Sequence, residues 1–308
     1  MKTIFITVSA ILFWALLSVV SRILLVNYEF NPWLFSFLQL VAGGAALLGI
    51  SLRRGAAWNS FNRTATWVLG ALRVLSTALY TSVLAALSVL EAGILGAVNL
   101  PVIALVVWIL SKRRPRAPEW VGHALILLAV VLLTQGLEEG IRNTALGLMG
   151  LNAICVAAMN LIAERHPENS TDSPVGRAWF SGVVLVITAA VFLAVRLLHG
   201  DGIAHLFDTP LVVASIAVGV LLRAPAMFLA FWSIRAAGAQ GYTAAIALLP
   251  LFGMAFEQSS VWVGLLDVSR FQMTAAYLAV IALAGTLIIL AARSAHVLPG
   301  SGWRQGVG

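Results

Sequence analysis

The feature that most constrains this sequence is a succession of apolar runs, each near twenty residues long, separated by short polar connections. A helix needs about 20 predominantly apolar residues to cross the hydrocarbon core of a bilayer. Ten stretches meet or approach that length: 4–26, 32–52, 64–87, 92–110, 120–135, 146–163, 175–197, 211–234, 242–265 and 273–291, the fifth being the shortest. No connection between them is long enough to fold by itself. With 61% hydrophobic and only 10% charged residues, the 308-residue chain cannot clothe a water-facing surface. That excludes an ordinary soluble enzyme, a disordered chain and a disulfide scaffold. The single cysteine, Cys155, lies inside an apolar run and has no partner for an intramolecular disulfide. The expected fold class is an all-α membrane protein of ten transmembrane helices.

Charge position fixes the expected orientation. With the N-terminus inside, thirteen lysines and arginines fall on the inner side, among them Lys2, Arg53, Arg54, Arg63 and Lys112, and only Arg142, Arg196 and Arg270 fall outside. Such an excess marks the cytoplasmic face. Both termini are therefore expected in the cytoplasm. The net charge of +7 belongs to these loops and to the bilayer as partner, not to nucleic acid. The first run follows Lys2, but it is too long for a cleaved leader and carries Arg22, so it is expected to stay as a helix.

The two halves echo each other. Leu72-Arg73 recurs as Leu222-Arg223 after 150 residues, and Leu100-Pro101 as Leu249-Pro250 after 149. The expected organisation is a five-helix repeat over 1–137, a second over 138–296, and a cytoplasmic tail over 297–308. Five is odd, so the second copy enters the membrane inverted. Near Asp201 and Asp267 the outer loops of that copy carry few positive charges, unlike their basic inner counterparts. Inverted repeats suit alternating access, because two similar halves pack in two related ways of similar energy around a midplane site.

In this arrangement the chain resembles the drug/metabolite transporter superfamily, EamA type. The resemblance rests on Trp14 and Arg22 in FWALLSVVSR, on EAGILGAVNLP ending at Pro101, and on GAQGYTAAIALLP ending at Pro250. The AVNLP stretch and the Trp14 to Arg22 spacing are also similar to the bacterial aromatic amino-acid exporters of that superfamily. One departure is the end of the fourth span, where the family often has a glutamate and this chain reads SKRRPRAPEW. The resemblance implies efflux of a small-molecule substrate, neutral and aromatic amino acids first, across a bacterial inner membrane. It implies no cofactor.

Several residues are candidates for a substrate cavity. An ionisable group inside a span is costly unless paired or hydrated. Arg73, Thr77 and Tyr80 follow i, i+4, i+7 spacing and share one helix face. Arg223 is followed by Pro225, Phe228, Phe231 and Trp232, which could stack an aromatic substrate while the arginine holds its carboxylate. Trp14, Asn152 and Asn160 complete the expected cavity. Asn99 precedes Pro101, and proline leaves the carbonyl four residues back without its helical partner, here those of Ala97 and Ile246. Pro101 and Pro250 are expected hinges. Glu257, the one carboxylate deep in a span, is expected to pair with an arginine or to carry a proton. No His-Glu-x-x-His, intramembrane aspartate pair or Ser/His pair lies in the spans, so neither a catalytic residue nor a metal ligand is expected and the chain is read as a transporter, not an enzyme. Another cargo, such as a sugar phosphate, a lipid carrier or a drug, fits the same fold, though the in-span arginines disfavour a cation.

Overall fold

The computed structural model describes residues 2–54, 58–87, 89–112, 114–170, 173–198, 208–266 and 273–294. The expected tail 297–308 and the loop residues Asp201, Asp267 and Arg270 lie outside them. Among the described residues there is no strand. The α-helices are α1 (Lys2–Asn27), α2 (Pro32–Leu52), α3 (Thr64–Ala86), α4 (Val89–Gly96), α5 (Asn99–Ser111), α6 (Ala117–Gln135), α7 (Glu139–Arg165), α8 (Pro167–Ser170), α9 (Pro174–Leu198), α10 (Thr209–Val218), α11 (Ala224–Ile246), α12 (Leu249–Trp262) and α13 (Met273–Ser294). A π-helical turn, Gly219–Arg223, joins α10 to α11. Among the described residues eight segments are long and apolar enough to cross a membrane, which makes this a multi-pass membrane protein. In α3 the length is there, 23 residues, but Arg73 and a series of hydroxyl side chains dilute its apolar character.

Helix starts follow capping rules. Asn31 Oδ1 accepts the backbone N–H groups of Trp33 and Leu34 at 3.0 and 3.2 Å, with Pro32 at the first helical position of α2. Proline needs no amide partner there. Prolines also stand in the first turns of α6, α10, α11 and α12.

Two helices are interrupted in the same way. Between α4 and α5 the chain passes through Ala97-Val98, and between α11 and α12 through Ala247-Leu248, 150 residues later. One expectation is corrected here. The Ala97 carbonyl is not left free by Pro101, because a tightened turn lets the Leu100 N–H donate to it at 3.0 Å. A third interruption lies inside α11 at Gly238, whose φ of 75° and ψ of 163° are open to glycine alone.

Small residues bring the helices together, as is usual where lipid gives no hydrophobic drive for association. A Cβ on Gly122 of α6 would stand 2.5 Å from the Gly285 carbonyl of α13, and one on Gly285 would stand 2.6 Å from the Gly122 carbonyl. A Cβ on Gly219 would meet the Gln39 carbonyl of α2 at 2.6 Å. The main packing pairs are α2 with α9, α6 with α13, α1 with α11 and α3 with α7.

Candidate substrate site

The most polar part of the interior is built around the middle of α1. Trp14 sits twelve residues into that helix, about 18 Å from its start at 1.5 Å per residue. The guanidinium carbons of Arg73 from α3 and Arg223 from the π turn each lie over the Trp14 ring, both 5.7 Å from its centroid. The two cations are therefore separated by no more than twice that distance, and they act on each other electrostatically. A cation over an indole face is favourable, increasingly so when desolvated.

Local backbone chemistry aims Arg223. Pro225 has no N–H to give the Leu221 carbonyl, and the chain widens by one residue just before it. The Ala224 N–H then reaches the Gly219 carbonyl five residues back. Extra residues of this kind recur at functional positions in helices. The missing side chain at Gly219 lets α2 approach, which places the buried Gln39 amide beside Arg223. Gln39 Oε1 accepts from Arg223 Nη2 at 3.4 Å, and Gln39 Nε2 donates to Ser21 Oγ at 3.5 Å. Arg223 Nε and Trp14 Nε1 are both buried without a well-formed hydrogen bond. Tyr242 of α11 completes the group, its phenol close to Arg73 and to the Trp14 indole.

Thr77, one turn beyond Arg73 on α3, is exposed. Tyr80 lies about 10 Å beyond Arg73 along the helix and packs with Val83, Leu95 and Met149, away from Trp14. The two asparagines of α7 are tied to neighbouring helices. Asn152 Oδ1 accepts from Ser76 Oγ at 2.6 Å, and Asn160 Nδ2 donates to Thr243 Oγ1 at 2.9 Å. Asn160 thus adjoins the site through the residue next to Tyr242. Asn99 Oδ1 is buried without a partner beside the α4–α5 interruption.

The second aromatic wall divides. Phe228 packs against the same core cluster as Trp14. It also meets Trp232 edge-on, with ring centroids 5.6 Å apart. Trp232 itself is at the end of the bundle, under Lys2 Nζ at 5.7 Å and the Arg177 guanidinium at 5.4 Å. Glu257 forms an ion pair with Arg22, joining α12 to α1. Pro101 and Pro250 each stand just after an interruption. Gln39 and Tyr242 were not among the residues singled out from the sequence. Gln39 carries a signal that could have found it, as the lone amide in the apolar run FSFLQLVAGG. Tyr242 carries less, because its place depends on how α11 packs against α1.

Two cavities open away from this cluster. One of about 760 Å³ lies where α2 and α10 begin and α9 ends, lined by Tyr28, Asn31, Arg196 and Asp208 among others. Another of about 670 Å³ lies between α3, α5 and α7, with apolar walls and Arg63, Arg165 and His166 at its mouth. Among the described residues no group of three or more histidine, cysteine, aspartate or glutamate side chains is arranged to hold a metal ion.

Comparison with known proteins agrees with this architecture. No curated protein matches the chain. A solved structure, described only as the crystal structure of a protein, superposes with a TM-score of 0.65 at 18% sequence identity. The match covers 94% of this chain and 96% of that one, so the two share a fold through both halves. Residues 1–135 match the EamA-like transporter family. The first 135 residues are thus similar to the EamA-like transporter family, within a chain whose helices make it a multi-pass membrane protein.

Proposed function

We propose that this chain is an alternating-access exporter of small carboxylate-bearing metabolites, with amino acids as the first class to test. The observation that carries the reading is the pair of arginines over Trp14. Each lies near mid-length of its apolar segment, where an ionised side chain persists only with a function or a partner. Arg73 and Arg223 can take a carboxylate, and Trp14 offers a flat apolar surface beside it. The sequence resemblance puts aromatic amino acids first among the carboxylates to test.

In this reading the chain has ten spans in two inverted repeats, 1–137 and 138–296. The α4–α5 pair forms the fourth span, and the last turns of α11 with α12 form the ninth. The 150-residue offset of the two interruptions supports it, as does the equal offset of Arg73 and Arg223. So does the pairing of helices. Exchanging the halves turns α1 on α11 into α7 on α3, and leaves α2 on α9 and α6 on α13 unchanged. Rocking about the interruptions at Pro101 and Pro250 would expose Trp14 to one side and then the other. Both termini are placed in the cytoplasm of a bacterial cell, with export across the inner membrane.

The test is transport by the purified chain in sealed liposomes, with labelled amino acids and small carboxylates, with and without a pH gradient. Uptake or efflux of at least one of them, lost in Arg223→Gln, is expected. Liposomes as tight to every member of the panel as empty ones would refute the reading. A response to the pH gradient that disappears in Glu257→Gln would assign that residue a proton, in addition to its ion pair.

A further inference from the structure

The charge count around Trp14 narrows the cargo. The chain has 12 aspartate and glutamate residues, and Glu257 is the one set deep within a span. Glu257 is bound to Arg22, on a different part of α1 from Trp14. Glu164, near the end of α7, accepts the Ala239 backbone N–H. Among the described residues, then, neither Arg73 nor Arg223 has a carboxylate partner. Among the described residues Arg223 hydrogen-bonds the neutral Gln39 amide and lies over the Trp14 ring. Two guanidinium groups thus share one desolvated neighbourhood with an indole, a phenol and an amide, none of which brings a negative charge. A single carboxylate would leave one cation uncompensated. A zwitterionic amino acid would do worse, since its ammonium group adds a third positive charge while Glu257 and Glu164 are engaged with Arg22 and the Ala239 N–H.

From this we infer that the preferred substrate is a small dianion, carrying two negative charges on one molecule, as a dicarboxylate or a phosphate monoester does, with one arginine for each charge. The inference rests on the transporter reading and changes its expected cargo from neutral amino acids to dianions. A loaded site would hold balanced charge while the halves move around it. The Thr77 hydroxyl, exposed beside Arg73, and the Trp14 N–H are further donors to the same anion.

Binding to the purified full-length chain in detergent tests the assignment without requiring transport. The probes are succinate, glycerol phosphate, lactate and phenylalanine, each titrated at neutral pH and followed by thermal shift and by tryptophan fluorescence. At least one dianion is expected to bind about 10-fold or more tighter than lactate or phenylalanine. In Arg73→Gln and Arg223→Gln that dianion should weaken about 30-fold or more, as when one partner of a buried charge pair is removed. Lactate should change much less. Phenylalanine binding as tightly as the dianions, or no dianion binding at all, overturns the inference. Should either variant fail to fold, the wild-type ranking decides alone. The liposome assay separates this from the transporter reading. A dianion that binds but never crosses removes transport and leaves the site assignment. Phenylalanine that crosses while dianions do not bind does the reverse.

Discussion

Gly93 and Pro250 meet where the two interrupted helices cross: a Cβ on Gly93 would fall 2.8 Å from the Pro250 Cβ and closer still to its Cγ. The crossing joins α4 to the start of α12, so each interruption lies against the other half of the chain. A rigid proline ring cannot fold away as a flexible side chain would. Gly93→Ala should therefore destabilise the protein by about 1–3 kcal/mol through overpacking and slow any motion centred there. Gly253→Ala, on the same α12 but with open space around it, should leave both unchanged. Thermal denaturation and transport rates of the two variants provide the check, and equal behaviour would mean that the crossing bears no strain.

Arg22 and Glu257 tie α1 to α12. The carboxylate side chain is only 11% exposed and the arginine side chain 26%, so the pair is better shielded than a surface ion pair. Removing either charge leaves the other poorly solvated. Arg22→Gln and Glu257→Gln should each lower stability by about 1–3 kcal/mol, whereas the exchange Arg22→Glu with Glu257→Arg should recover most of it. A double-mutant cycle in detergent measures the coupling directly. Additive single effects would show that the two side chains do not interact.

The parts of this architecture that could be read from sequence were those encoded locally. An apolar run of twenty residues announces a helix wherever it packs, and α1, α2, α3 and α9 fall within a few residues of their runs, whereas α7 begins at Glu139, well before 146, and α11 continues to Ile246, twelve residues past 234. Arg73 and Arg223 stood out for the same reason, as charged groups at membrane depth, whereas Trp14 stood out through the resemblance carried by FWALLSVVSR. What the sequence left open was which groups meet across helices. Glu257 had three in-span arginines to choose from, and the choice of Arg22 depends on the α1–α12 contact. Asn152 and Asn160 have their hydrogen bonds taken up by Ser76 and Thr243, partners 76 and 83 residues away along the chain. Trp232 carried the right chemistry for a cavity wall, but about one turn of helix beyond Phe228 brings it to Lys2 and Arg177 instead. Gln39 was hidden in another way, since it reaches Arg223 only because Gly219 lets α2 come close.

His166, just beyond the end of α7, gives the protein a pH dependence that can be predicted. Its ring stacks on Phe180 with centroids 4.1 Å apart. Its Nδ1 accepts the Glu168 backbone N–H at 3.3 Å, so the proton of the neutral ring is on Nε2, which donates to Thr66 Oγ1 at 3.1 Å. Burial, with Arg63 nearby, pushes its pKa down to about 4 from the ordinary 6.5. The folded state then binds a proton less readily than the unfolded state. The stabilisation is complete above pH 6.5 and is lost as the pH falls toward 4, by up to about 3 kcal/mol. Glu168 acts in the opposite direction, because burial raises its pKa against the pull of Arg63. Comparing the wild type with His166→Gln at each pH cancels that contribution. The wild-type melting temperature should fall more steeply than the variant's between pH 6.5 and 4, and parallel curves would contradict the assignment.

Glu164 and Gly238 form one joint between α7 and α11. At Gly238 the backbone leaves helical geometry, and the Ala239 N–H that opens the following turn donates to Glu164 Oε2 at 3.0 Å. The carboxylate caps a newly started helical segment, where it also faces the positive end of the helix dipole. Glu164→Ala should cost about 1 kcal/mol, the usual effect of losing a side-chain cap. Gly238→Ala should cost about 1–3 kcal/mol, because a φ of 75° with extended ψ is strained for any residue with a Cβ. If both serve the same joint, the double variant should lose less than the sum, since a segment already displaced by the alanine at 238 no longer presents its first N–H to Glu164. Chemical denaturation of the two single variants and the double variant measures this. Strictly additive losses would mean that the cap and the kink act independently, and that α7 does not hold the last turns of α11 in place.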